Sequence, residues 1–162
     1  MSRPTWDDTF LEICGVLAKR SKDESTKKGC VIVGPSKEIR AVGYNCFPRG
    51  LNDNIPERQD RPAKYFYLEH AERNAVFNSA RTGVSLVGTT CYILGVPCHD
   101  CARALIQSGI TQVVSSSNVI PERWRESCEA ALDMLKEAGV LVRLKNTMER
   151  MTLQIGEEWG HE

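Results

Sequence analysis

The chain has no surplus of either charge: 21 Lys and Arg residues balance 21 Asp and Glu residues. Polynucleotides are gathered by an excess of positive charge, so this balance argues against a polynucleotide partner and for a small substrate. The chain also has no apolar run near the roughly 20 residues a spanning helix needs. Its opening, Met1-Ser2-Arg3-Pro4-Thr5-Trp6-Asp7-Asp8, does not read as a signal peptide. No membrane association is expected. The seven cysteines are an odd number, which does not close into a disulfide framework. Without a secretory signal they read as the reduced thiols of a cytoplasmic protein. Internal repeats and low-complexity segments are lacking too. A length of 162 residues suits one domain over residues 1–162, burying about 70% of its unfolded surface, with 146–162 as a C-terminal tail.

Histidine is scarce, with only three residues. His161 lies near the terminus and His99 between two cysteines, pointing elsewhere, which leaves His70 as the imidazole to explain. It stands in Leu68-Glu69-His70-Ala71-Glu72, and a second stretch, Val96-Pro97-Cys98-His99-Asp100-Cys101, has two thiols. One His and two Cys make three protein ligands, the number in a catalytic zinc site that keeps its fourth position for water. Glu72 is then free to move protons. Mid-helix, positions two apart point to nearly opposite sides. His70 and Glu72 therefore converge only if His70 sits at or just before the first helical residue. Cys98 and Cys101, three apart, share a face of a first turn, and Pro97 suits a helix entrance. Both half-sites thus lie at positive helix ends, which favour thiolate. A redox Cys-x-x-Cys gives the upstream His-x-Glu no role. A structural zinc knuckle wants a second close ligand pair, and Cys14, Cys30, Cys46, Cys91 and Cys128 are scattered.

The remaining chain alternates. Thr5 to about Arg20 has helical spacing in Trp6, Phe10, Ile13, Cys14, Leu17 and Ala18. Residues 21–28 are polar and read as a loop, solvated on its composition, with a phosphate contact by Ser21 and Lys22 as the functional reading. Cys30–Val33 and Ile39–Tyr44 read as a hairpin. Residues 45–65 form a long irregular stretch with Arg49, Arg58, Arg61 and Lys64, either a substrate wall, a subunit contact or plain surface. Strands follow at Thr89–Leu94, Thr111–Val114 and Val140–Leu144. Helices are expected from His70 to Gly83, from Cys98 to near Gly109, and over Pro121–Ala138 with Trp124, Cys128, Ala131, Leu132 and Leu135 on the apolar side. The tail from Asn146 has no strong pattern. The expectation is an α/β fold, one five-stranded mixed sheet covered on both faces, with ligands beyond the carboxyl ends of strands.

These residues resemble the deoxycytidylate (dCMP) deaminase branch of the zinc-dependent cytidine deaminase superfamily, over roughly Ser21 to Leu144. The resemblance is carried by Ser21-Lys22-Asp23 before Gly29–Val33, Gly43-Tyr44-Asn45 with Pro48 and Gly50, His70-Ala71-Glu72-x-Asn74-Ala75, Pro97-Cys98-x-x-Cys101-Ala102, and Ile106-Gln107-x-Gly109-Ile110. It implies a three-layer α/β/α fold, often a homohexamer. It implies that Asn45 hydrogen-bonds the substrate sugar and that the Ser21-Lys22 loop approaches phosphate. Effectors dCTP and dTTP are implied as well, at a site built partly from the Gly-Tyr-Asn loop. The chain departs from the family there, with Cys46 in place of a common Gly, which predicts weakened effector control. It departs again at 118–124, where a Tyr-His pair is common.

The expected reaction is hydrolysis of dCMP to dUMP and ammonia. Zinc is held by His70, Cys98 and Cys101, Glu72 acts as acid and base, and the Ala71 N–H at a helix start holds the base carbonyl. Other small bases or nucleotides (CMP, dCTP, a pathway intermediate) are the nearest alternative. A transfer-RNA adenosine deaminase would want a basic surface. A non-catalytic zinc-stabilised module would give Glu72 no work beside an open ligand position.

Overall fold

The computed structural model describes residues 2–146 and 151–154, the latter and Asn146 by backbone alone. The first helix, α1 (Trp6–Ala18), is capped by the Thr5 hydroxyl, which accepts from the Asp8 N–H at 3.1 Å. A polar loop leads into the hairpin of β1 (Gly29–Val33) and β2 (Ile39–Tyr44). The irregular stretch that follows contains a 3-10 turn at Pro56–Arg58 and a one-turn helix, α2 (Lys64–Tyr67). Then come α3 (Ala71–Thr82), β3 (Thr90–Ile93), α4 (His99–Gln107), β4 (Gln112–Ser115), α5 (Arg125–Glu137) and β5 (Leu141–Asn146).

The five expected strands are joined by a sixth, β6 (Met151–Gln154), antiparallel to β5. It falls in the tail that carried no sequence pattern. Sheet order is β2-β1-β3-β4-β5-β6, with β3, β4 and β5 parallel and the outer pairs antiparallel. Every residue of β1 is buried, because the sheet is covered on both sides. Cys30, Ile32, Cys91 and Ile93 face Ala75, Ala102, Leu105, Ala131 and Leu135 of α3, α4 and α5. Val31, Val33, Tyr92 and Val114 face Phe10, Leu11 and Cys14 of α1. The period-2 alternation of the strands thus sorts side chains into two cores, giving three layers.

Two glycines allow helices to lie close on the hairpin. A Cβ on Gly43 would stand 2.3 Å from the Ala71 carbonyl oxygen and 2.5 Å from the Ala75 nitrogen, so β2 and α3 touch backbone to backbone. A Cβ on Gly29 would meet the Cys14 carbonyl oxygen at 2.0 Å. All seven cysteines are free thiols. Among the described residues no helix is long and apolar enough to cross a membrane.

Candidate metal centre and active site

His70 is the N-cap residue of α3, with extended backbone (φ −78°, ψ 155°), and Cys98 holds the same position on α4 (φ −81°, ψ 169°). The turn out of extended chain brings His70 and Glu72 to one cavity, as their spacing required. Among the described residues, His70, Cys98 and Cys101 form the group able to hold a metal ion, with donor atoms all within 4.8 Å of one another. Zinc bonds of about 2.0 Å to nitrogen and 2.3 Å to sulfur at a tetrahedral angle place N and S roughly 3.5 Å apart. His70 Nδ1 lies 3.3 Å from Cys98 Sγ and 3.5 Å from Cys101 Sγ. The residues fit the ion.

Electrostatics agree with ligation. The Cys101 thiol and the His70 ring hold the Cys98 thiol far down, at about 4, and the Cys98 sulfur holds His70 up, at about 9. The lowered Cys98 favours the thiolate that a metal requires, and His70 would give up its proton on ligating one. Glu72 lies outside the metal-capable group and lines the cavity. Burial pushes its carboxyl up, while the neighbouring His70 charge pulls the other way. A carboxyl with raised proton affinity beside a water site suits proton transfer near neutral pH.

The cavity holds about 420 Å³ and is lined by Asn45, His70, Ala71, Glu72 and Cys98 among others, the size of a small-ligand site. Asn45 is buried and braced: it accepts from the Lys28 N–H at 2.7 Å and donates to the Thr26 carbonyl at 2.7 Å. Ser21 and Lys22 are not brought to this cavity. Ser21 is buried, its hydroxyl accepting from the Asp23 N–H at 3.2 Å. The exposed Lys22 ammonium pairs with Asp53 at 3.0 Å, beside a second cavity of about 560 Å³ that also meets Cys46, Arg49 and Arg81. The solvated reading of this loop holds for Lys22, Glu24, Ser25 and Lys27, which are exposed, but not for Asp23, which is 1% exposed. Its carboxylate accepts from Lys64 at 2.7 Å and from the Ser25 and Thr26 N–H groups at 2.9 and 3.1 Å. Burial pushes Asp23 up, yet the Lys64 hydrogen bond and these N–H groups leave it below the usual carboxylate range.

Of the cations in the long irregular stretch, Arg61 and Lys64 stand on the cavity wall, whereas Arg49 faces the second cavity. Trp124 is a further correction. It precedes α5 in a 3-10 turn rather than packing on its apolar side, and its ring meets the His70 ring edge-on at 5.8 Å and Tyr65 at 5.7 Å. Its place after β4, beyond a strand's carboxyl end, is the signal that could have found it. His99 turns away, its Nδ1 2.6 Å from the Ser127 hydroxyl; His161 lies outside the described residues. Cys46 is in an extended bridge with Glu69, and its sulfur accepts from Asn74 at 3.4 Å.

Residues 4–117 match the family model of the cytidine and deoxycytidylate deaminase zinc-binding region. The chain belongs to this family. A probable deoxycytidylate deaminase of Drosophila melanogaster is 38% identical over 145 residues, covering 83% of this chain and 70% of its own. The deoxycytidylate deaminase of Mus musculus is 34% identical over 143 residues, covering 85% and 78%. Among solved structures, the dCMP deaminase of cyanophage S-TIM5 in complex with dCMP and dUMP superposes with a TM-score of 0.71 at 23% identity, over 88% of this chain and 98% of that one. The cytidine deaminase fold is therefore common to both.

Proposed function

We propose that this protein is a zinc-dependent deaminase that hydrolyses dCMP to dUMP and ammonia. The observation that carries the reading is the donor triangle of His70, Cys98 and Cys101 at zinc spacing, with Glu72 beside it and a ligand-sized cavity in front. Family membership supports zinc, and relatives named deoxycytidylate deaminase support the substrate. Zinc bound there supplies the Lewis acidity that makes water a nucleophile near neutral pH.

The chain's own residues do the rest. Glu72 takes a proton from the attacking water, passes it to ring N3 and later helps protonate the departing amine, so that one water is consumed and one ammonia leaves. Protonation at N3 makes C4 electrophilic. The Ala71 N–H, at the first position of α3, holds the base carbonyl. Asn45, fixed by its hydrogen bonds to Lys28 and Thr26, takes the sugar. Arg61 and Arg123 on the cavity wall supply positive charge for the 5′-phosphate, in place of the Ser21-Lys22 contact that the resemblance implied, while Lys64 is held by Asp23.

The reading extends to a single cytoplasmic domain that assembles with further copies. Its α2 leaves Phe66 82% exposed beside the half-exposed Tyr65 and Tyr67, apolar surface that a partner copy would cover. Control by dCTP and dTTP, weakened in this reading by Cys46, belongs to the second cavity, where Cys46 and the cations Lys22, Arg49 and Arg81 meet.

The test is ammonia release from a panel of dCMP, CMP, dCTP, deoxycytidine and adenosine. The highest kcat/KM is expected for dCMP. Release of ammonia from none of them, or a clear preference for another, would overturn the assignment.

A further inference from the structure

Among the described residues, Lys28 is a cation on the cavity wall whose ammonium has no partner. Lys28 is the last residue before β1, and its backbone is clamped at both ends by Asn45: its N–H donates to Asn45 Oδ1 at 2.7 Å and its carbonyl accepts from the Asn45 N–H at 3.2 Å. The side chain is therefore launched from a fixed point into the half-buried interior. Among the described residues its ammonium makes no hydrogen bond or ion pair. It ends against the turn that feeds Cys98, where a Cβ on Gly95 would stand 2.9 Å from Lys28 Nζ. Glycine at 95 leaves the room that the lysine occupies. Lys28 and Glu72 act on each other electrostatically, and Cys128 of α5 closes the same corner. A cation left half-buried without a partner costs free energy unless a ligand supplies an acceptor.

We propose that Lys28 is a specificity-determining residue whose ammonium donates to the ring carbonyl of the substrate's base. The proposal rests on the deaminase reading above. Its location decides between the acceptors that a nucleotide offers. With the reacting carbon at the metal triangle and Glu72 at ring N3, the carbonyl beside N3 is the next acceptor on the ring. The 5′-phosphate is a full sugar farther out, where the deaminase reading assigns it to Arg61 and Arg123. The same oxygen receives the Ala71 N–H, and a carbonyl has two lone pairs to offer. Drawing electron density toward that oxygen makes the attacked carbon more electrophilic, so the contact strengthens as the reaction begins. Adenine has the same amidine but no carbonyl next to it. A purine of that kind would leave Lys28 half-buried and unpaired, and a site built to hydrogen-bond a group discriminates strongly against an analogue lacking it.

The experiment compares unmodified protein with Lys28→Met, which keeps length and loses charge, and Lys28→Gln, which keeps a donor. Zinc content and melting temperature are measured first, as evidence of an intact site. Calorimetric binding of dUMP and of deoxyuridine is then read beside kcat/KM for dCMP and deoxycytidine. Lys28→Met is expected to weaken nucleotide and nucleoside by the same factor, about tenfold to a hundredfold, with Lys28→Gln in between. A loss confined to dCMP and dUMP would overturn the proposal in favour of a phosphate contact. Unchanged binding and turnover would overturn it in favour of a solvated lysine. Unmodified protein that neither binds dUMP nor releases ammonia from any cytosine compound would fail the deaminase reading itself, a result distinct from either.

Discussion

Glu72 occupies a position where a ligand would also be tolerated chemically, since carboxylates bind zinc, yet it lies outside the donor triangle. Removing its charge should therefore separate proton transfer from metal binding. Glu72→Gln is expected to keep full zinc content and the unmodified melting temperature while turnover falls about a hundredfold or more; metal analysis beside steady-state kinetics checks both halves. His70→Ala and Cys98→Ala should behave in the opposite way and lose most of the metal along with all activity. Full zinc occupancy in both would remove the ligand assignment. Glu72 and the group His70, Cys98 and Cys101 were legible in the sequence because metal chemistry restricts both residue type and spacing, and few His or Cys compete. Lys22 and Lys64 were not separable in that way. Both are basic residues in stretches without a periodic pattern, and which of them faces the cavity depends on Asp53 and Asp23, brought to them from elsewhere by the fold. Trp124 was misread for a related reason: its spacing fits the apolar side of α5, but the helix begins one residue later.

At the scale of elements, the site depends on how closely α3 lies on β2. Gly43→Ala would drive a methyl into the Ala71 carbonyl and the Ala75 nitrogen, and the helix capped by His70 would have to move. Misplacement of about 1 Å can cost a hundredfold in rate, so activity and zinc affinity should fall well beyond what the change in melting temperature explains. On the other face, Asp7 in the first turn of α1 receives Arg143 of β5 at 3.1 Å and Tyr92 of β3 at 2.8 Å. Burial pushes the Asp7 carboxyl up, but the Arg143 and Tyr92 hydrogen bonds outweigh it and leave it below the usual range. A carboxyl lowered by folding contributes stability above its unfolded pKa, and that stability is lost as pH falls through the folded value. Asp7→Asn should thus cost about 1–3 kcal/mol at pH 7, a gap that narrows below about pH 4; urea titrations at pH 7 and pH 3 measure it. Most elements were readable beforehand, because α1, α5 and the core strands bury enough residues to impose a period. The exceptions, α2 and β6, are four residues each, too short for any period to register.

For the whole molecule, the donor triangle spans two helices, α3 and α4, that also pack against each other. His70 comes from the start of α3 and the thiols from the first turn of α4, 28 residues apart at the nearest pair. An ion that binds the folded protein alone stabilises it by about 4 kcal/mol at a thousandfold excess over its Kd. Chelator-treated protein is expected to melt several degrees lower and to recover on adding zinc. An unchanged melting curve would show that the three side chains hold no ion in solution. Trp124 gives the same question an optical form. Indole emission is quenched by a nearby protonated imidazole, and this ring lines the cavity edge-on to His70 at 5.8 Å, with Tyr65 against it at 5.7 Å. Capture of an ion or a base should change the protein's own ultraviolet fluorescence, without a label, and Trp124→Phe should abolish the change. The aromatic wall is then also a lamp: the occupancy of the site can be followed on the stopped-flow timescale by the light the chain itself emits.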